Sequence, residues 1–364
     1  MTSAMTSAAA ARIEEETLEV RSRDAKGRPQ MAEGRFPGPG GITENDCFFL
    51  VHHYQPHEVT PESWSLAIAL PSGSERTLTL AELSALPRRK VTALVECAGM
   101  SRGYLPRQTP GTQFGHGMVG SAEWEGVSLV DVLDLVGIDR SFRTLILRGG
   151  DSGVAQPENE HADFSKGLPL EKALDRDTIL ALTMNGEPVP WLHGGPVRLV
   201  VPGWYGVWWV KWPRRMEVSD ADGYEGFWQS TRYTYQDADG RQIAPVRDLL
   251  PRAIIETPMD GSRAPKGKLA VAGLAWAGEN DIAKVEVTTD GGRSWKEAEL
   301  AERYGRWTWT RWRTEVAFEG PAGFQRIAAR ATDSAGRVQA WHSEANRLGY
   351  GNNGIHSVRV NIVA

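Results

Sequence analysis

From Leu269 to the carboxy terminus the chain is written at period two. The segments LAVAGLAW (269–276), IAKVEVTTDGGRSWKEAEL (282–300), RWTWTRWRTEVAF (306–318), QRIAARATDSAGR (325–337) and HSVRVNIV (356–363) all alternate, and Asp290-Gly291 and Ala335-Gly336 mark turns between them. No apolar period of helical length interrupts them, so this part must bury its core between sheets. The pattern predicts a β-sandwich of the immunoglobulin-like kind, entered through the Pro/Gly/charged stretch Thr257–Gly267.

A chain of 364 residues has room for a second domain with its own core. We expect a flexible tail over 1–41, a catalytic domain over 42–256 and the sandwich over 257–364. The tail starts with small residues, passes through acidic and then basic residues, and closes on Pro37-Gly38-Pro39-Gly40-Gly41. It shows neither an apolar signal core nor an early twin-arginine pair, which predicts a cytoplasmic protein, or a periplasmic one if the amino terminus has been processed. The formal charge of −5 leaves no electrostatic footprint for nucleic acid or an anionic membrane, and no apolar run is long enough to span a bilayer. Two cysteines, Cys47 and Cys97, make no disulfide framework, although one bridge between them is compatible with the sequence.

Between tail and linker, one stretch concentrates attention. VTALV (91–95) reads as a strand running into Glu96-Cys97-Ala98-Gly99, with Arg102 just beyond. Cys97 thus sits where a rigid strand meets a turn: an inert buried thiol or a thiolate with a task. Upstream, Asp46–His57 (DCFFLVHHYQPH) reads as a short apolar strand ending in histidines. Zinc or copper at His52, His53 and His57 is the weaker reading, because neighbours on a strand face opposite ways and no acidic or thiol partner lies at ligand spacing. Thr79 with Glu82 forms a capping box before a short helix, and SLVDVLDLVG (128–137) is a second, core-facing helix closed by Gly137. Thr144–Arg148 reads as a buried strand opening into a loop, Gly149–Gly153, around Asp151. In Met184–Trp212, His193, Arg198 and Lys211 lie among apolar and aromatic residues with no acidic neighbour. Buried cations are rarely left unpaired, so this group asks for an anion from outside the chain, phosphate above all. Gly349, Gly351 and Gly354 match GxGxxG, but no helix follows, and a loop is the expectation.

Together ECAG (96–99), HGGPVRLVVPG (193–203) with VKW (210–212), and GLAWAG and TTDGGRSW in the sandwich resemble the sulfite oxidase family of molybdenum enzymes, over nearly all of Thr43–Ala364. The resemblance implies an α+β protein: a mixed α/β molybdopterin-binding domain followed by an immunoglobulin-like domain that forms a homodimer. It implies Cys97 as the metal ligand and Arg102 beside the substrate. Molybdopterin, a pyranopterin dithiolene, would be held by Phe49, Leu50, Val51, His52, His53, Asp151, His193, Arg198, Trp209, Val210 and Lys211. A thiolate suits a sulfur-rich metal centre, and a cationic pocket suits an anionic cofactor. The expected activity is oxidation of sulfite or another small sulfur compound, with electrons leaving to a separate protein such as a cytochrome, since no haem-attachment motif is present. By eye, several anion-binding positions of the family are replaced: Val51 and Ser230-Thr231 stand for arginines, Phe114 for a tryptophan and Leu182 for a tyrosine, with Arg232 adjacent as a substitute. Each lost charge-assisted bond weakens an oxyanion by roughly 1.5–3 kcal/mol, which makes a less charged or bulkier sulfur substrate a rival to sulfite. The closing NNGIHSVRV and the sandwich also resemble the sulfane dehydrogenases of the family. Reduction of nitrate or a sulfoxide on the same cofactor, and a cofactor-free sandwich that binds a partner or a glycan, are the alternatives.

Overall fold

The computed structural model describes residues 18–35, 41–156, 158–237, 239–319, 321–344 and 346–363. Glu19–Arg23 (β1) and Pro29–Glu33 (β2) form an antiparallel hairpin that pairs onward with Leu50–Val51 (β3). The expected tail is therefore folded over 19–33. Leu18, Ala32, Leu50 and Leu192 build a small core beneath it, and Arg21 reaches Glu33 at 2.6 Å. The rest of that segment, 1–17 and 36–40, lies outside the described residues.

There follow Ser65–Ala69 (β4), Glu75–Thr79 (β5), helix Leu80–Ser84 (α1), Arg89–Glu96 (β6), Val119–Ser128 (β7), helix Leu129–Val136 (α2), Thr144–Ala155 (β8), Glu160–Pro169 (β9), helix Leu170–Ala173 (α3), Ile179–Met184 (β10), Glu187–Pro188 (β11), Arg198–Val200 (β12) and Pro213–Ser219 (β13). They form two five-stranded sheets, one ordered β11-β10-β7-β6 with β12 on β10, the other β5-β4-β13-β8-β9. One hydrophobic core draws from both, with Trp124, Leu147 and Trp209 among its fully buried members. The capping box forms as read: Thr79 Oγ1 accepts from the Glu82 amide and Glu82 Oε2 from the Thr79 amide. Gly137 ends α2 in the left-handed conformation, φ 70°, whereas the Ser128 side chain caps nothing.

The loop expected at Gly149–Gly153 is instead part of one long strand, β8, with a bulge between Arg148 and Ser152. Its glycines serve close approach: a Cβ on Gly150 would stand 2.5 Å from the His57 ring. Likewise, the expected strand before the histidines shrinks to Leu50–Val51, after a turn of 3-10 helix at Asn45–Cys47.

A hairpin, Thr234–Gln236 (β14) and Gln242–Pro245 (β15), leads to the second unit. This comprises Arg252–Thr257 (β16), Arg263–Pro265 (β17), Gly267–Trp276 (β18), Ile282–Thr288 (β19), Lys296–Glu297 (β20), Glu299–Arg303 (β21), Thr310–Phe318 (β22), Gly323–Asp333 (β23) and His356–Val363 (β24). The sheets β16-β18-β22-β21 and β17-β24-β23-β19-β20 share one core of Val271, Trp312, Ile327 and Val358 with their neighbours. Strand β16 spans the expected boundary at 256/257 and pairs with β18. The expected linker contains β17 and the first residue of β18.

The units are tied at the end of β6. The Leu94 amide donates to the Trp307 carbonyl at 2.8 Å, and Glu96 takes Trp276 Nε1 at 2.7 Å and Arg252 at 3.1 Å.

Candidate active site

Cys97 is the first residue after β6, and its neighbour amide at Gly99 donates to Sγ at 3.4 Å. Burial pushes its thiol above the ordinary range, against weaker pulls from that amide and from Arg102. The thiol lines two cavities at once, and Val51, His53 and Tyr233 line both with it.

The first cavity gathers most of the residues read from the sequence: Phe49, Val51, His52, His53, Asp151, His193, Arg198, Trp209 and Lys211, with Phe48, Phe164 and Tyr233 in addition. Leu50 and Val210 are the exceptions. Strand alternation turns Leu50 into the small core under the hairpin, and Val210 is fully buried in the main core. The HGGP turn brings the cations in. A Cβ on Gly195 would lie 1.9 Å from the Val189 carbonyl, and one on Gly194 2.9 Å from the Lys211 side chain. Arg198 Nη1 donates to the His193 carbonyl at 2.8 Å, and its guanidinium lies 5.0 Å over the Trp124 ring. Lys211 Nζ donates to the Val51 and Leu192 carbonyls at 3.1 Å and approaches His52 Nδ1 at 3.3 Å. His193 Nε2 donates to the Asn45 carbonyl at 3.1 Å.

Electrostatically this cavity is short of anions. Burial drives the His193 imidazole down to about 3 and the Arg198 guanidinium to about 9, while the Asp151 carboxyl is pushed up to about 7. His52 is held neutral by burial and by Lys211. Three of its polar atoms, His52 Nε2, Asp151 Oδ1 and Arg198 Nε, are buried without a partner among the described residues. A ligand or an ordered water in the cavity can satisfy them. The space within it open to the centre of a water molecule is about 70 Å³. The three histidines that suggested zinc diverge: His53 bonds Tyr233, His57 bonds Arg214, and His52 faces Lys211.

The second cavity, about 260 Å³, lies on the other side of the thiol. Arg102 enters it from the turn after Cys97, with Nε on the Leu348 carbonyl (3.1 Å) and Nη1 on the Thr112 carbonyl (3.0 Å). Val51, Phe114 and Arg232 line it as expected, but Leu182, Ser230 and Thr231 do not. Leu182 is buried in the core on β10, and Ser230 Oγ donates to the Gly226 carbonyl. Tyr233 brings a phenol into this wall, its hydroxyl 2.9 Å from His53 Nε2. Trp228, stacked 4.3 Å from His53, and Tyr350, stacked 4.5 Å from Tyr233, complete the wall. The sequence reading passed over these three rings; the sole hint was Arg232 immediately before Tyr233. Ser101 and Trp212, adjacent to Arg102 and Lys211, hold left-handed backbone (φ 63° and 47°), a strain of the kind that collects at functional sites.

Residues 52–228 match the oxidoreductase molybdopterin binding domain, and residues 244–363 match the Mo-co oxidoreductase dimerisation domain. Sulfite oxidase from Gallus gallus is 34% identical over 320 residues, covering 82% of this chain and 68% of that protein. The mitochondrial sulfite oxidase of Drosophila melanogaster is 34% identical over 351 residues, covering 88% of this chain and 59% of that one. The sulfane dehydrogenase SoxCD from Paracoccus pantotrophus superimposes with a TM-score of 0.80 at 27% identity, over 97% of this chain and 92% of its own. Two domain families in the expected order, a shared fold and a thiol between two cavities agree: the chain belongs to the sulfite oxidase family of molybdopterin-dependent oxidoreductases.

Proposed function

We propose that this enzyme oxidises a small sulfur compound by oxygen-atom transfer and passes the electrons to a separate protein. The observation that carries the reading is the position of Cys97 as the common wall of two cavities, one with unpaired buried polar groups and one with Arg102 and aromatic rings. The residues fit the cofactor. Cys97 offers the single soft ligand, Asp151 and His52 offer hydrogen-bonding atoms for pterin nitrogens, and Arg198, His193 and Lys211 offer donors for the phosphate. Bound there, molybdenum supplies the oxo transfer and takes up two electrons.

The chain's own part is binding and proton placement. Arg102, with no carboxylate partner among the described residues, holds an anionic substrate beside the thiol. Burial raises the Tyr233 phenol well above 10 and lowers His53 to about 3, so both stay neutral and share one hydrogen bond between the phenol oxygen and His53 Nε2. The rings of Phe114, Trp228 and Tyr350 keep bulk water away from the reacting sulfur. The likeness to the sulfane dehydrogenase favours a second reading, in which the substrate sulfur is a sulfane. The dimerisation domain supports a homodimer.

Protein made in a host that synthesises molybdopterin should contain molybdenum and oxidise sulfur compounds with ferricyanide as acceptor. The Cys97→Ser protein should fold and lose roughly 100-fold or more of that rate. Wild-type protein that emerges folded and molybdenum-free would sink the reading. Faster turnover of nitrate or a sulfoxide with a reduced dye would reverse its direction.

A further inference from the structure

The second cavity carries less positive charge, and more apolar surface, than a naked sulfur dianion requires. Of its two arginines, Arg232 is ion-paired to Glu158 at 2.5 Å, so its charge is already answered. Arg102 is left as the single uncompensated cation. Two of its donors are spent on the Leu348 and Thr112 carbonyls, while Nη2 has no partner among the described residues. It is also aimed: its guanidinium lies 5.2 Å over the Tyr350 ring, and a Cβ on Gly99 or Gly111 would crowd it at 3.0 or 2.9 Å. One fixed cation with one open edge matches one negative charge.

Beside Thr112, Gln156 and His53, the walls are mostly rings and aliphatic groups, among them Trp228, Tyr233, Tyr350, Phe114, Val51 and Leu348. At about 260 Å³ they enclose far more room than a four-atom oxyanion fills. Leaving that space to water would waste an apolar surface, whereas an apolar substituent on the sulfur would cover it and gain hydrophobic contact.

The geometry points to an organic sulfinate, R–SO2⁻ with an apolar R group, as the preferred substrate: the sulfinate oxygens on Arg102, the sulfur lone pair toward the thiol-bearing wall, and R among the rings. This rests on the oxygen-transfer reading above. The reaction balances as R–SO2⁻ + H2O → R–SO3⁻ + 2H⁺ + 2e⁻. The sulfur lone pair forms a new S–O bond, the oxygen comes ultimately from water whose two O–H bonds break, and two one-electron steps reduce the acceptor, ferricyanide in an assay.

The test compares methanesulfinate and benzenesulfinate with sulfite on the molybdenum-loaded enzyme, in mildly alkaline buffer where sulfite is a dianion. It adds calorimetric binding of benzenesulfonate against sulfate to the same protein without acceptor. We expect kcat/KM for at least one sulfinate to exceed that for sulfite about tenfold or more, and benzenesulfonate to bind about tenfold tighter than sulfate. In Glu158→Gln, which releases the charge of Arg232, both gaps should narrow severalfold. Sulfite turned over as well as both sulfinates, sulfate bound as tightly as benzenesulfonate, or gaps unmoved in Glu158→Gln would each overturn the sulfinate assignment and leave the oxidoreductase reading intact. A molybdenum-loaded enzyme that oxidises no sulfur compound would instead fell that reading, and this inference with it.

Discussion

Asp151 shows how a single carboxyl marks the proposed cofactor site. Burial is the largest influence on it and raises its pKa to about 7, against an ordinary 3.8. As pH climbs from about 4 to about 7, the unfolded chain releases this proton while the folded chain keeps it, so Asp151 favours the folded state at low pH and costs stability above about 7. The buried histidines His52, His53 and His193 act in the opposite sense below about 6.5. The informative quantity is therefore a difference: thermal melts of cofactor-free protein should show Asp151→Asn gaining on wild type between about pH 5 and about pH 8. Parallel melting curves across that range would contradict the burial of this carboxyl. At this scale the sequence was most readable where it broke a rule. Cations in an apolar run without acids announced His193, Arg198 and Lys211, and a cysteine at the end of a strand announced Cys97. Tyr233, Trp228 and Tyr350 broke no rule. They are ordinary aromatic residues, spread from 228 to 350, that only tertiary packing assembles. Leu182, read as standing where the family has a tyrosine, is buried on β10 away from both cavities.

Elements repeat the lesson with local signals. The capping box at Thr79 and the glycine at 137 were legible because a helix end is specified by three or four adjacent residues. Gly149–Gly153 was misread because a bulge and a turn use the same residues. The structure separates them: β8 continues past the bulge to Ala155 in register with β9, and the bulge is what presents Asp151 to the cavity. Gly150→Ala should accordingly press on the His57 ring, lower stability by about 1–3 kcal/mol in denaturant unfolding, and reduce the molybdenum content of purified protein. An unchanged midpoint would mean that His57 yields without cost. The hairpin of β1 and β2 gave almost no signal, because its strands are short and mostly polar, and their partner β3 lies beyond a proline-glycine stretch.

Over the whole molecule, the join between units and the reacting centre are one network. Glu96, one residue before Cys97, is buried against Arg252 from the second unit, which also donates to Ser101, one residue before Arg102. Burial raises the Glu96 pKa although Arg252 pulls the other way, so the pair is held at a desolvation cost. Arg252→Met should destabilise the protein by about 3–5 kcal/mol, because it leaves the carboxylate buried alone, and should depress kcat/KM along with stability. A variant as stable as wild type would show the units to be independent. The amino-terminal hairpin bears on the same centre from the opposite side. Glu33 accepts the Gly115 amide at 3.0 Å through both carboxylate oxygens, and Met31 stands in the wall of the larger cavity. Part of what reads as a flexible tail thus helps to wall that cavity. Removing residues 18–33 should therefore open the wall around Arg102 while β8 and β12 keep their own strand pairings.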